Sequence, residues 1–161
     1  MRIVIGCDEA AFHLKEQLKE FLISLGHEVI DKGVYDESPC LYPDVAVSAA
    51  LEIINGNAER GVLMCGTGIG MSISANKVPG IRAAVCHDAF STERSRKSNN
   101  AQVMCMGSRV LAPHLAMYLV KLWLCCEFEG GGSTAKVEKI MEYERKFLKQ
   151  SQNGNGNETL L

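Results

Sequence analysis

Cys65 opens the run Cys65-Gly66-Thr67-Gly68-Ile69-Gly70, directly after the apolar stretch Val62-Leu63-Met64. A thiol at the end of a buried strand can serve as a base or a nucleophile, the thiolate being the active form. The three glycines that follow let backbone N–H groups cradle an anion where the next helix begins. The segment therefore places a reactive sulfur beside an oxyanion site. The competing reading is packing: glycine turns join strands to helices for close approach alone, and buried cysteine behaves as a small hydrophobe. Familiar phosphate motifs fail on spacing. A dinucleotide fingerprint starting at Gly66 would need its last glycine at Met71, and no P-loop run exists. A cysteine phosphatase of the Cys-x5-Arg type would need an arginine at Met71 as well.

The elements around this run alternate between strand and helix. Short apolar runs are expected as strands at residues 2–7, 27–31, 61–64, 81–85 and 102–106. Helical stripes lie between them, at 12–25, closed by Gly26, at 44–55 behind Pro43, at 71–76, at 88–98 and at 113–127. A last helix is expected over 134–149, after Gly130-Gly131-Gly132-Ser133. Strands apolar throughout, alternating with helices, predict an α/β fold. The expected form is a Rossmann-like three-layer sandwich on a five-stranded parallel sheet of order 2-1-3-4-5. Such sheets bind ligands at the C-terminal strand ends. That edge holds Asp8, Cys65, His87-Asp88 and Gly107-Ser108-Arg109. His87 and Asp88 read as caps of the helix that follows. One domain is expected over 1–149, with a disordered tail over 150–161 rich in Asn and Gly.

Composition narrows the function classes. The 161 residues carry a net charge of −2, so no basic surface points to nucleic acid. No apolar run approaches the roughly 18–20 residues of a membrane helix. The N-terminal run reads as a first strand and is too short for a signal peptide. Seven cysteines without a Cys-x-x-Cys pair argue against zinc and suit a reducing cytosol.

The run from Cys65 to Lys77, then Gly80-Ile81-Arg82-Ala83-Ala84 and His87-Asp88, resembles the ribose-5-phosphate isomerase B family. That family includes galactose-6-phosphate and tetrose-phosphate isomerase branches. Gly6-Cys7-Asp8, Tyr42-Pro43-Asp44 and Gly107-Ser108-Arg109-Val110 extend the similarity from residue 1 to about residue 145. The resemblance implies an aldose–ketose isomerase working through an enediolate, without metal or cofactor, with ribose 5-phosphate and ribulose 5-phosphate as the default pair. It makes Cys65 the proton-transfer base, with Thr67 adding a hydroxyl. The backbone of Gly66, Gly68, Ile69 and Gly70 would hold the oxyanion. Asp8 and Asp44 would bind sugar hydroxyls, and Asn99 would reach substrate from a partner subunit in a homodimer or tetramer. Arg109 and Lys136 would hold the phosphate.

The sequence departs from the family at five places, one of them Ala11 in place of a glycine. Glu9 stands where a histidine is usual, and Ser98 replaces the ring-opening histidine. Gly132 and Lys136 replace two phosphate-binding arginines. Lysine is a point charge that cannot form the bidentate fork of arginine. Glu9 near a phosphate would repel it, or it faces solvent. A sugar that cannot cyclise stably needs no ring-opening acid, and Ser98-Asn99-Asn100 resembles the tetrose-phosphate branch. Erythrulose 4-phosphate and galactose 6-phosphate therefore remain alternatives. So do a non-catalytic sugar-phosphate binder and a redox-active thiol protein.

Overall fold

The computed structural model describes residues 1–152. Five strands form one parallel sheet: β1 (Arg2–Cys7), β2 (Glu28–Asp31), β3 (Arg60–Cys65), β4 (Ala83–Val85) and β5 (Val103–Gly107). Helices α1 (Phe12–Ser24), α2 (Tyr42–Ile54), α3 (Ile69–Ala75), α4 (Ala89–Lys97) and α5 (Pro113–Leu124) return the chain between or after strands. The chain divides into two compact units, the first 1–129 and the second beginning at Gly130. The second holds a short 3-10 turn at Gly131–Ser133 and helix α6 (Thr134–Gln152). Helix α6 thus takes in residues 150–152 of the expected tail; the rest, 153–161, lies outside the described residues.

The parallel α/β architecture is as expected, but the strand order is β2-β1-β3-β5-β4. The last two strands are exchanged relative to chain order. The cause lies in what each buries. Val103–Gly107 is buried along its whole length and sits against β3, whereas Ala83–Val85 is three residues long and half-buried. The longer, bulkier strand takes the interior position, where both faces are covered, and the short Ala-Ala-Val segment takes the edge.

Side chains alternate across the pleat, so each strand feeds two cores. Val62 and Met64 join Ile3, Ile5, Met104 and Met106 on the face covered by α1 and α5, where Leu14, Leu18, Leu22 and Trp123 pack. Leu63 and Cys65 join Val4, Val103 and Cys105 on the other face, with Ala46, Ala49 and Ala50 of α2 and Met71 and Ala75 of α3. The small residues of α2 let it lie close to the sheet, and the alternation directs Cys65 to the α2/α3 face. No helix among the described residues is long and apolar enough to cross a membrane.

Candidate active site

Cys65 ends β3 and is buried. The chain then turns sharply through Gly66-Thr67-Gly68 into α3. Gly68 sits at φ +77°, and a Cβ there would lie 2.8 Å from the Met106 carbonyl carbon, so only glycine fits. This turn brings the Gly68 N–H to 3.0 Å from Cys65 Sγ, to which it donates. Thr67 Oγ1 accepts from the Ile69 N–H at 3.4 Å. The bond from Ser72 N–H to the Gly68 carbonyl closes the first turn of α3. The N–H groups of Ile69, Gly70 and Met71 precede it and have no acceptor within the helix.

The end of β5 braces this loop. The Ser108 N–H donates to the Cys65 carbonyl at 2.9 Å and the Arg109 N–H to the Gly66 carbonyl at 3.1 Å. The Arg109 side chain runs along Gly66, its Cδ and Nε 3.4 Å from where a Cβ would be. Ser108 Oγ donates to the Ala10 carbonyl at 2.7 Å, tying in the short 3-10 turn Glu9–Ala11 after β1. The Tyr42 ring, at the start of α2, lies against Gly70.

Asp8 directly follows β1 on the same edge, next to β3, and its N–H donates to the Met64 carbonyl at 3.2 Å. Its side chain is buried, and its Oδ1 has no hydrogen-bond partner. Burial, and then the neighbouring Glu9 charge, push the Asp8 carboxyl above its ordinary range, against the pull of the Ala10 and Ala11 N–H groups and Arg109. Glu9 is not simply a solvated charge. Its Oε2 accepts the Cys40 N–H at 3.2 Å, which fastens the segment before α2 to the site. Its own N–H and that of Cys40 hold the Glu9 carboxyl below the usual range.

A model of the Ribose/Galactose Isomerase family matches residues 3–140. The chain belongs to that family. It is 53% identical over 149 residues to the D-erythrulose-4-phosphate isomerase of Pectobacterium atrosepticum, covering 91% of this chain and 97% of that protein. It is 48% identical to ribose-5-P isomerase B of Listeria innocua, covering 91% of this chain and 99% of that protein. Among solved structures, ribose-5-phosphate isomerase B of Clostridium thermocellum superposes with a TM-score of 0.90 at 43% identity. That match covers 91% of this chain and 99% of the other. The chain is accordingly a sugar-phosphate isomerase.

Within this isomerase, Cys65, Gly66, Thr67, Gly68, Ile69, Gly70, Asp8 and Arg109 gather at one end of the sheet. Asp44 is exposed in the first turn of α2, the turn that also carries Tyr42. Asn99 is placed elsewhere. Helix α4 runs antiparallel to the strands, so Asn99 follows its C-terminus at the start of β5, about 13 Å along the sheet from the Cys65 level at the usual strand rise. Arg94 Nη1 lies 3.5 Å from Ser98 Oγ at that same distant end. Lys136 is exposed in α6 of the second unit. The sequence places Ser108 on the binding edge and Tyr42 in a matching motif without giving either a role, and reads His87 with Asp88 as caps of the following helix. Asp88 is the cap, accepting the Ser91 N–H at 2.8 Å, whereas His87 Nε2 accepts the Gly107 N–H at 3.0 Å. Burial pushes the thiols of Cys86 and Cys105 up, and that of Cys7 to about 12, which makes them packing groups.

Proposed function

We propose that the chain interconverts the aldose and ketose forms of a sugar phosphate with Cys65 as the base, ribose 5-phosphate and ribulose 5-phosphate being the leading pair. The observation that carries this is the Gly68 N–H on Cys65 Sγ at 3.0 Å, in a loop followed by the first N–H groups of α3, which have no acceptor within the helix. The thiolate removes the proton from the carbon beside the carbonyl, and the electron pair moves onto the carbonyl oxygen. The loop N–H groups stabilise the resulting enediolate, each such donor contributing about 3–4 kcal/mol. The thiol then returns the proton to the neighbouring carbon, while the hydroxyl proton passes to the other oxygen. The unpartnered Asp8 Oδ1 is satisfied by a sugar hydroxyl. Arg109 takes the phosphate, and Asp44 a further hydroxyl.

Asn99 completes the site from a second copy in a homodimer. Its position at the opposite end of the sheet from Cys65 supports this, as do the exposed Ile69 and Ile73 on α3. The seven free thiols support a cytosolic location. Erythrulose 4-phosphate is a second reading, favoured by Ser98, which offers no imidazole for opening a ring.

A panel of ribose 5-phosphate, erythrulose 4-phosphate and galactose 6-phosphate tests the reading. Wild type turns over at least one, and Cys65→Ala loses about 10²–10⁴-fold. Retained turnover in Cys65→Ala refutes the assigned base. Co-refolding equal amounts of Cys65→Ala and Asn99→Ala tests the shared site. With each site built from both copies, only mixed dimers hold an intact site, one per dimer, and about a quarter of wild-type activity returns. No recovery refutes the sharing.

A further inference from the structure

The N–H groups of β5 point alternately to its two neighbours. Val103 donates to the Arg82 carbonyl on the β4 side, and Ser108 donates to the Cys65 carbonyl on the β3 side. By that alternation the Gly107 N–H faces β4, yet β4 ends at Val85 and the chain leaves through Asp88 into α4. A backbone donor at this buried position needs an acceptor. The His87 ring takes the place of the missing strand carbonyl, its Nε2 3.0 Å from the Gly107 nitrogen. Gly107 in turn supports the reactive loop: a Cβ on it would lie 2.7 Å from Thr67 Cα and 2.9 Å from the Gly66 carbonyl oxygen.

We infer that His87 is a positioning residue for the reaction: its imidazole fixes Gly107, and Gly107 fixes the Gly66–Thr67 peptide beside Cys65. The inference rests on the reading of Cys65 and its loop as the reaction centre. Accepting through Nε2 requires a neutral ring with its proton on Nδ1. Burial favours that neutral form, and the Asp88 carboxylate opposes it. Asp88 is itself held by Ser91; Cys86 adjoins His87 in the chain, and Cys65 stands opposite Gly107 in the β3–β5 register, with Cys105 and Arg109 two residues to either side of Gly107. Protonation of the ring converts its acceptor into a donor and releases Gly107.

The test compares wild type, His87→Ala and His87→Gln in kcat and KM across the acid range, with the Gly107 amide followed by ¹⁵N NMR. A glutamine oxygen reaches about as far as Nε2, accepts a hydrogen bond and does not titrate. His87→Ala should lower kcat about tenfold or more with KM changed less than about threefold, because the loop is displaced and not removed. His87→Gln should restore kcat to within about threefold of wild type. It should also lack the extra loss of rate that wild type shows below the ordinary imidazole value of 6.5. The Gly107 amide should shift in the alanine variant and titrate with the ring in wild type. Undiminished kcat in His87→Ala, a glutamine variant as impaired as alanine, or an indifferent Gly107 amide overturns the inference alone. Wild-type inactivity on every sugar phosphate instead overturns the reading of Cys65 beneath it.

Discussion

The Gly68 N–H lies 3.0 Å from Cys65 Sγ because Gly68 adopts a left-handed conformation that no side chain could share with the Met106 backbone. The hydrogen bond and the steric constraint are one feature. Gly68→Ala must pay about 1–2 kcal/mol for the left-handed backbone alone. Its methyl also meets backbone at 2.8 Å, which cannot swing aside as a side chain would. The expected result is a destabilisation of about 2–4 kcal/mol and a kcat lower by about 100-fold. Urea unfolding and steady-state kinetics check the two together. A variant with normal kcat would show that the loop accommodates a Cβ at this position without moving its N–H donors away from Cys65.

Gly70 makes a softer contact. A Cβ there would meet the Tyr42 ring, with Cε2 and Cζ at 2.6 Å, so a side chain and not the backbone must yield. Gly70→Ala alone should destabilise the protein by tilting Tyr42 away. In a Tyr42→Ala background the same change should stabilise it by about 0.5–1 kcal/mol, since alanine is the better helix residue. A double-mutant cycle in urea should return a coupling of about 1 kcal/mol. Additive effects would mean that the ring and the helix do not constrain each other.

Much of this was legible in the sequence because buried parallel strands read as continuous apolar runs. Arg2–Cys7 and the segment ending at Cys65 needed only composition and the glycines that follow. The order of the last two strands was not legible: Ala-Ala-Val and Val-Met-Cys-Met are both apolar, and their places depend on how much each buries. The Glu9–Cys40 bond joins residues 31 apart and depends on the path of the intervening segment. His87 and Asp88 are adjacent at a strand end, and their local sequence does not show that one caps a helix while the other completes a sheet. Asn99 was singled out only through resemblance, because nothing in its own segment links it to the Cys65 end.

Stability and chemistry are separated along β3. Arg60, at its start, is buried and donates to the Trp123, Leu124 and Cys126 carbonyls at 3.0, 3.1 and 3.0 Å, closing the C-terminus of α5. It also pairs with Glu127. Arg60→Met removes the guanidinium donor from the Leu124 and Cys126 carbonyls, while the Trp123 carbonyl keeps the Cys126 N–H at 3.2 Å, and should cost about 2–4 kcal/mol. Cys65 is five residues further along the strand, about 17 Å away, so kcat/KM should stay within about twofold of wild type below the unfolding transition. Denaturant unfolding and kinetics on the same preparation check this. A large loss of kcat/KM in the folded variant would tie the two ends of the strand together.

Asp8 should show the opposite trade. Burial and the Glu9 charge raise its carboxyl above the unfolded value of 3.8, so the folded state binds that proton more tightly than the unfolded state. The stability it contributes is complete below that value and is lost as pH rises through the folded-state value. At neutral pH the ionised carboxylate, with Oδ1 unpartnered, is therefore a cost to the fold. Asp8→Asn removes the charge at nearly constant shape. It should raise stability near neutral pH by about 1 kcal/mol, or a melting temperature higher by about 3 °C. The gain over wild type should shrink as pH falls through the raised folded-state value and be gone below the unfolded value of 3.8. Activity should fall about 10–100-fold, because a charged acceptor for a sugar hydroxyl becomes a neutral one. Scanning calorimetry of both proteins across that range, beside their kinetics, reads all three effects. A variant that is less stable at neutral pH would mean that the Ala10 and Ala11 N–H groups outweigh the burial of the carboxylate, and that Asp8 is held there for the fold, not for the substrate.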